Sequence, residues 1–321
     1  MGNIKNICFL GFGSTVFDIQ LDGRKQVFSH VEALNLLNFK ISQVYDKYPS
    51  ENALKFCSDN NISLTDNINK IYPDIDILIV ALPTSEIEVA YEFVRRFNPR
   101  MVVLEKPVSY SSSKTIKMFK LLNSKKISFF VNYQRNFDIG YEIIRQEIIS
   151  NKVITASFET TTAIAQGSSH MIELVLSLFP EYELLKAKSI KSIRAVNGIK
   201  EPGGWLVLSN GDSLVTVIMN SSPKLEYIFK GRIVFENYEI VFDEGNKTIE
   251  KISYGIGNDR QRTIRTSQSP EIIYNWENEE WILGTYKRVL EDKTANQEET
   301  SRWVNVCRII EQIMENSIVK S

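Results

Sequence analysis

Glu105, Lys106 and Pro107 stand together directly after the apolar run Met101–Leu104. At the carboxyl end of a strand this places a carboxylate and an ammonium where a doubly wound sheet binds ligands, with a surface ion pair as the plainer alternative. Pro107 stiffens the turn and is a candidate for a cis bond. Earlier, Gly11-Phe12-Gly13 follows a second apolar run, Ile7–Leu10. Glycines there let backbone N–H groups come close to a dinucleotide pyrophosphate at a helix start. The third glycine of that fingerprint would fall at Val16, and the stretch Asp18–Val27 separates the turn from the first clear helical pattern.

Asp46 ends another strand pattern, Ile41–Tyr45. A carboxylate there accepts ribose hydroxyls and repels a 2′-phosphate, which favours NAD, while Lys47 beside it keeps NADP open. Its distance from Gly13 exceeds the usual roughly twenty residues, consistent with an insertion after the glycine turn. His30 and His170 are the only two histidines. His170 sits at the start of the apolar helical pattern Met171–Phe179, with Ser168 and Ser169 as candidate N-caps. A neutral imidazole there would accept a proton, and a simply packed ring is the plainer alternative. His30 shares a helical face with Val27 and Leu34 and reads as packing. Trp205, Trp276, Trp281 and Trp303 read as core or interface residues.

These residues need a scaffold that brings strand ends together. Strand patterns at Ile7–Leu10, Ile41–Tyr45, Ile75–Ala81, Met101–Glu105 and Ile127–Asn132 alternate with helical patterns at Lys25–Phe39, Ser50–Asn60, Ser85–Phe97 and Ser112–Ser124. The unbroken apolar run Ile77–Leu82 suits a strand covered on both faces. Such alternation predicts a parallel, doubly wound α/β sheet whose carboxyl edge lines a ligand crevice. Beyond about residue 150 the pattern changes. Strands are expected at Lys152–Thr160, Lys188–Val196, Trp205–Ser209, Ser213–Asn220, Lys224–Lys230, Arg232–Glu236, Glu239–Asp243 and Lys247–Ser253. Asn210-Gly211 marks a hairpin. This half predicts a large, mostly antiparallel sheet with helices on one face, a polar loop over Gly255–Pro270, and helices at the end.

Composition narrows the chemistry. The 38 Lys and Arg against 39 Asp and Glu give a net charge of −1, which argues against a nucleic-acid surface built on bulk positive potential. Cys8, Cys57 and Cys307 are scattered, so neither a zinc site nor a disulfide framework is expected. No apolar stretch is long enough for a membrane span, and the first apolar run is too short for a secretory leader. A cytoplasmic protein is expected.

Gly11–Gly13, Tyr45-Asp46, Ala81–Thr84, Val103–Ser109, Asn132–Phe137 and Gly167–Phe179 follow the order and spacing of one family. Over roughly its first 180 residues the chain resembles the glucose–fructose oxidoreductase/inositol dehydrogenase/rhizopine catabolism (Gfo/Idh/MocA) family of NAD(P)-dependent oxidoreductases. The resemblance implies a Rossmann domain over residues 1–132 and an α+β domain over 133–321 whose open sheet forms a homodimer or homotetramer. It implies cofactor contacts from Gly11, Phe12, Gly13, Asp46, Leu82, Pro83, Thr84, Glu105 and Lys106. Lys106 and His170 would be catalytic, and Lys106, Asn132, Arg135, Gln166, His170 and Glu173 would meet the substrate. Where many relatives carry an aspartate four residues before the histidine, this chain has Gln166, which can orient a ring but not stabilise its protonated form by charge.

The activity so implied is hydride transfer between nicotinamide and a hydroxyl-bearing carbon of a sugar, sugar derivative or nucleotide-linked sugar. NAD(H) is favoured, with NADP(H) possible. Val16 and Gln166 also fit a second reading, a dinucleotide-binding sensor without catalysis. A third is an enzyme acting on an imine or a tetrapyrrole.

Overall fold

Continuously apolar tetrapeptides build the first sheet. Ile7–Leu10, Ile77–Val80 and Met101–Leu104 are buried along their whole length, as strands covered on both faces must be. The computed structural model describes residues 6–13, 16, 29–196, 198–256, 263–265, 270–276, 281–291 and 293–318. Its strands in chain order are β1 (Ile7–Leu10), β2 (Ile41–Tyr45), β3 (Ser63–Thr65), β4 (Ile77–Val80), β5 (Met101–Leu104), β6 (Ser128–Val131), β7 (Val153–Thr160), β8 (Glu183–Val196), β9 (Ile199–Ser209), β10 (Leu214–Met219), β11 (Phe229–Phe235), β12 (Tyr238–Asp243), β13 (Thr248–Ile256), β14 (Thr263–Arg265) and β15 (Glu271–Asn275). The helices are α1 (His30–Leu36), α2 (Glu51–Asp59), α3 (Ile87–Phe97), α4 (Ser112–Ser124), α5 (Ile139–Ser150), α6 (Gly167–Leu178), α7 (Trp281–Leu290) and α8 (Gln297–Ile318).

The chain divides into two units, Met1–Gln134 with Asn278–Arg308, and Arg135–Glu277 with Ile309–Ser321. Residues 278–308, which the sequence pattern groups with the second half, therefore belong with the first. In the first unit the strand order is β3-β2-β1-β4-β5-β6, all parallel, with the order reversing beside β1. That is the doubly wound α/β sheet expected from the alternation. Ser29 caps α1 in a reciprocal pair with Glu32, and Ser50 caps α2. Val16 is fully buried in the core of this unit, with Phe9, Phe12 and the α7 residues Ile282, Leu283, Tyr286 and Val289. Residues 17–28, covering the expected insertion, the start of the first helix and Val27, lie outside the described residues, as does the side chain of Trp281.

In the second unit the sheet runs β14-β13-β12-β11-β7-β10-β9-β8, with β15 on β13. Every neighbouring pair is antiparallel except β7 with β10. Val215, Val217, Phe158 and Ile233 are buried on one face. On the other, Leu214 and Ile218 are exposed and lie opposite Ser209 and Trp205 of β9.

Some expected breaks are not breaks. Of the strand anticipated at Lys224–Lys230 only Phe229 and Lys230 are strand, and they run through Gly231 into the one anticipated at Arg232–Glu236 as a single strand, β11. A Cβ on Gly231 would come within 2.4 Å of Phe242 and 2.6 Å of Phe158, so this glycine makes room for rings on both neighbouring strands. Likewise β9 starts at Ile199 rather than at Trp205 and runs through Gly203 and Gly204, which are glycine where Ser192, Met219 and Ile313 crowd the backbone. Within the expected loop Gly255–Pro270, Thr263–Arg265 pairs with Tyr254–Ile256, and residues 257–262 and 266–269 lie outside the described residues. β3 and β15 were not anticipated; three and five residues of mixed polarity carry too little periodicity.

Candidate active site at the carboxyl edge of the first sheet

Five of the six parallel strands of the first unit, all but β3, end beside a residue singled out by the sequence. The ladder extends one bond past the strands: Asp46 N–H to Thr65 O (3.1 Å), Gly11 to Tyr45 O (2.8 Å), Ala81 to Leu10 O (2.9 Å), Glu105 to Val80 O (2.9 Å) and Asn132 to Leu104 O (2.9 Å). Gly11, Asp46, Ala81, Glu105 and Asn132 therefore form one row along the carboxyl edge, where open α/β sheets bind ligands.

Gly11 has φ +87°, and a Cβ there would sit 2.7 Å from Ala81 O, so only glycine turns the chain at this point. Among the described residues nothing lies within 4 Å of a Cβ placed on Gly13, as backbone approached by a ligand requires. Phe12 is buried, edge-on to Phe9 at 5.3 Å between centroids, and its N–H donates to Asp46 Oδ2 at 2.7 Å. Tyr48 N–H donates to Asp46 Oδ1 at 2.8 Å. Each carboxylate oxygen keeps acceptor capacity for a ribose hydroxyl. Leu82 and Thr84 are half-buried and Pro83 is exposed, leading into the short helical turn Thr84–Glu86. The open backbone at Gly13 and the free acceptor capacity of Asp46 are compatible with an adenine dinucleotide, whose pyrophosphate and ribose these two positions could hold.

Lys106 follows β5, half-buried, and the Lys106–Pro107 peptide is cis. Beside it Glu105 is gripped from several sides. His30 Nε2 lies 2.8 Å and Asn132 Nδ2 2.6 Å from Glu105 Oε1, while Glu105 Oε2 accepts the Lys106 backbone N–H at 3.3 Å. Burial alone would raise the Glu105 carboxyl. The His30 hydrogen bond and charge, the Lys106 charge and the Asn132 amide outweigh it and leave the group below the usual carboxylate range. His30 is thus more than the packing residue its helical face suggests.

In the second unit α6 carries His170, buried to 7% exposure, and Glu173, buried to 1%. Asn136 Nδ2 donates to both Glu173 oxygens at 2.8 Å. The helix begins at Gly167, earlier than expected, with Gln166 at the N-cap position making no capping bond and exposed. Ser168 and Ser169 do not cap it. Their hydroxyls donate instead, Ser168 to Thr162 O at 2.8 Å and Ser169 to Gln166 O at 2.7 Å. The buried Glu201 of β9, which carries no sequence signal, accepts Ala165 N–H at 2.9 Å just before this helix.

Arg135 is also in this unit and is committed to Glu244, with Nε to Oε1 at 2.6 Å and Nη2 to Oε2 at 2.7 Å. Its guanidinium lies 4.0 Å from the Phe229 ring centre, and Tyr141 and Tyr227 donate to the same carboxylate. Burial disfavours the arginine charge, but Glu244 more than compensates and holds it charged. Any influence of Arg135 on a substrate therefore passes through this cluster. Glu244 could not be singled out in advance, since a glutamate before a glycine turn looks solvated.

Residues 23–133 match the model of an oxidoreductase family with an NAD-binding Rossmann fold. An inositol 2-dehydrogenase of Acidothermus cellulolyticus is 23% identical over 231 residues, 65% of this chain and just under two thirds (66%) of that protein. A dehydrogenase of Clostridium difficile shares the fold with TM-score 0.72 and 13% identity, covering 98% of this chain and 99% of the other. The UDP-N-acetylglucosamine 3-dehydrogenase of Acidithiobacillus ferrooxidans does so with TM-score 0.69 and 13% identity, covering 97% of each. Among the described residues no helix is long and apolar enough to cross a membrane. Residues 23–133 are thus similar to the Gfo/Idh/MocA oxidoreductase family with its NAD-binding Rossmann fold, and the chain as a whole shares its fold with these solved structures.

Proposed function

We propose that this protein is an NAD(P)-dependent dehydrogenase or reductase acting on the CH–OH group of a sugar, sugar derivative or nucleotide-linked sugar. The observation that carries the reading is the single row of Gly11, Asp46, Ala81, Glu105 and Asn132, with Lys106 immediately after Glu105. Gly11, Phe12 and Gly13 hold the pyrophosphate, Asp46 the adenosine ribose, and Leu82, Pro83 and Thr84 border the nicotinamide half. Bound nicotinamide supplies the hydride acceptor or donor. In the oxidative direction Lys106 would take the proton of the substrate hydroxyl while the cofactor would supply the hydride acceptor for the carbinol carbon, leaving a carbonyl and a protonated lysine. Glu105 stays anionic and steadies the Lys106 turn.

His170, Glu173, Asn132, Arg135 and Gln166 are the proposed substrate-side residues, with His170 a second acid/base group and Arg135 acting through its cluster. The similarity to an inositol dehydrogenase and to a sugar-nucleotide dehydrogenase supports a polyol or sugar substrate. The carboxylate at Asp46 favours NAD, and the adjoining exposed Lys47 leaves NADP accessible. A cytoplasmic homodimer or homotetramer through the open face of the second sheet fits the exposed Leu214 and Ile218.

Native mass spectrometry for a retained dinucleotide, followed by nicotinamide absorbance with a panel of polyols, sugars and sugar nucleotides, tests the reading. A bound dinucleotide with no hydride exchange across the panel would favour the sensor instead, the reading that the uncharged Gln166 supports.

A further inference from the structure

Two consecutive residues of α7, Thr285 and Tyr286, each hold one of the two side chains that grip Glu105. Thr285 Oγ1 donates to Asn132 Oδ1 at 2.9 Å, and Asn132 in turn donates to Glu105 Oε1 at 2.6 Å. Tyr286 Oη lies 2.6 Å from His30 Nδ1, and His30 Nε2 lies 2.8 Å from the same Glu105 oxygen. Successive helical residues point about 100° apart, so one turn of α7 can serve both targets. All of these groups lie within the first unit. His30, Tyr286 and Thr285 are at most 1% exposed, and Asn132 is at 5%.

Packing alone does not require this arrangement. Burial requires only that each ring nitrogen have some partner, not that one of them be the carboxylate beside Lys106. The carboxylate accepts, so His30 Nε2 carries the proton. Burial, reinforced by the Glu105 charge, raises Tyr286 well above the usual phenol range, so its hydroxyl stays protonated and can donate to Nδ1. The chain of donors then runs from Tyr286 through His30 to Glu105. The far carboxylate oxygen receives the Lys106 backbone N–H.

We propose that Tyr286 and His30, with Thr285 acting through Asn132, are positioning residues that fix the Glu105 carboxylate and through it the Lys106 turn. The proposal rests on the redox reading given above. Tyr286 holds one ring nitrogen, the other holds the carboxylate, and the carboxylate holds the backbone of the reacting lysine. Groups facing Glu105 are His30 from α1, Lys106 from its own turn, Asn132 from the end of β6, and Tyr286 by its nearby charge-sensitive hydroxyl.

Turnover and histidine ring-nitrogen NMR test it together, because two histidines give a readable spectrum. His30→Leu should lower kcat about 10- to 100-fold with the dinucleotide Kd unchanged, the size expected when reacting groups are misplaced. The acid limb of its pH–rate profile should move to higher pH, since Glu105 loses a donor that favours its charged form. His30→Gln keeps a nitrogen donor and should restore most of kcat, a recovery that loss of packing would not give. Tyr286→Phe keeps the ring and should shift only the His30 Nδ1 signal and kcat. An active wild type whose His30→Leu variant keeps kcat and pH profile overturns the proposal. If the wild type turns over nothing, the redox reading fails, and the spectrum then decides the relay alone. An Nε2–H tautomer that changes with Glu105→Gln supports the relay, and an Nδ1–H tautomer or no change overturns it.

Discussion

The Phe12 N–H donates to Asp46 Oδ2 at 2.7 Å, so the glycine turn after β1 is tied directly to the carboxylate that ends β2. The same side chain caps the following turn through Tyr48 N–H. Asp46 is therefore both a structural link between two strand ends and the proposed ribose acceptor. Its two roles use different lone pairs of the same oxygens.

Asp46→Asn separates those roles. An amide keeps one oxygen acceptor and loses the charge that repels a 2′-phosphate. NAD(H) affinity should fall about tenfold, equivalent to about 1.4 kcal/mol, while NADP(H) affinity holds or rises. Fluorescence titration with both reduced dinucleotides measures the ratio, and an unchanged ratio removes Asp46 from cofactor selection.

Lys106→Met removes the proton acceptor and keeps most of the side-chain length. Turnover should fall by at least about a thousandfold while dinucleotide binding stays within twofold. Undiminished turnover in steady-state assays would show that another group takes the proton.

The reach of the sequence follows the range of the cause. Lys106 and the glycine turn were legible because continuous apolar runs mark strands and these residues stand at their ends, and Asp46 because it ends the strand pattern between two helical ones. The row that aligns them follows from parallel register, which alternation also predicts. By contrast, Thr285 acts on a residue 153 positions away and Tyr286 on one 256 positions away. In sequence, Tyr286 is one more apolar position on the Ile282–Val289 stripe. Gly231 read as a strand break because the phenylalanines that require it belong to other strands. Arg135 carried a family expectation, but the buried Glu244 that claims it sits 109 residues on.

Glu105 should leave a signature in acid. Its carboxyl is below the ordinary range in the folded chain, despite burial, because of His30, Lys106 and Asn132. A group lowered on folding stabilises above its unfolded pKa, and that contribution disappears as pH falls through the folded value. Glu105→Gln should therefore be less stable than wild type at neutral pH, with the gap closing in acid. Urea midpoints across pH measure this, and a gap that widens in acid contradicts the assignment.

The Arg135–Glu244 pair makes a stability prediction for the second unit. Both side chains are at most 5% exposed, so removing one leaves the other buried without its counter-charge. Arg135→Met should cost about 3–5 kcal/mol, and the double variant with Glu244→Leu should recover part of that loss. Denaturant unfolding of the single and double variants reads the coupling. A single variant as stable as wild type would mean the pair is solvated in solution.

Ile218 tests the open face of the second sheet. It is 51% exposed beside Trp205 on the neighbouring strand, with the exposed Leu214 four residues back on its own strand. Apolar side chains along one sheet face are costly to leave in water, and a second copy of the sheet would cover them. A lysine at this position would bring two ammonium groups together across a two-fold contact. Ile218→Lys should therefore shift the protein to a smaller species in light scattering without changing its circular dichroism or its dinucleotide affinity. A wild type that is monomeric at micromolar concentration would remove this face as the assembly surface. An oligomer indifferent to the lysine would move the contact elsewhere on the protein.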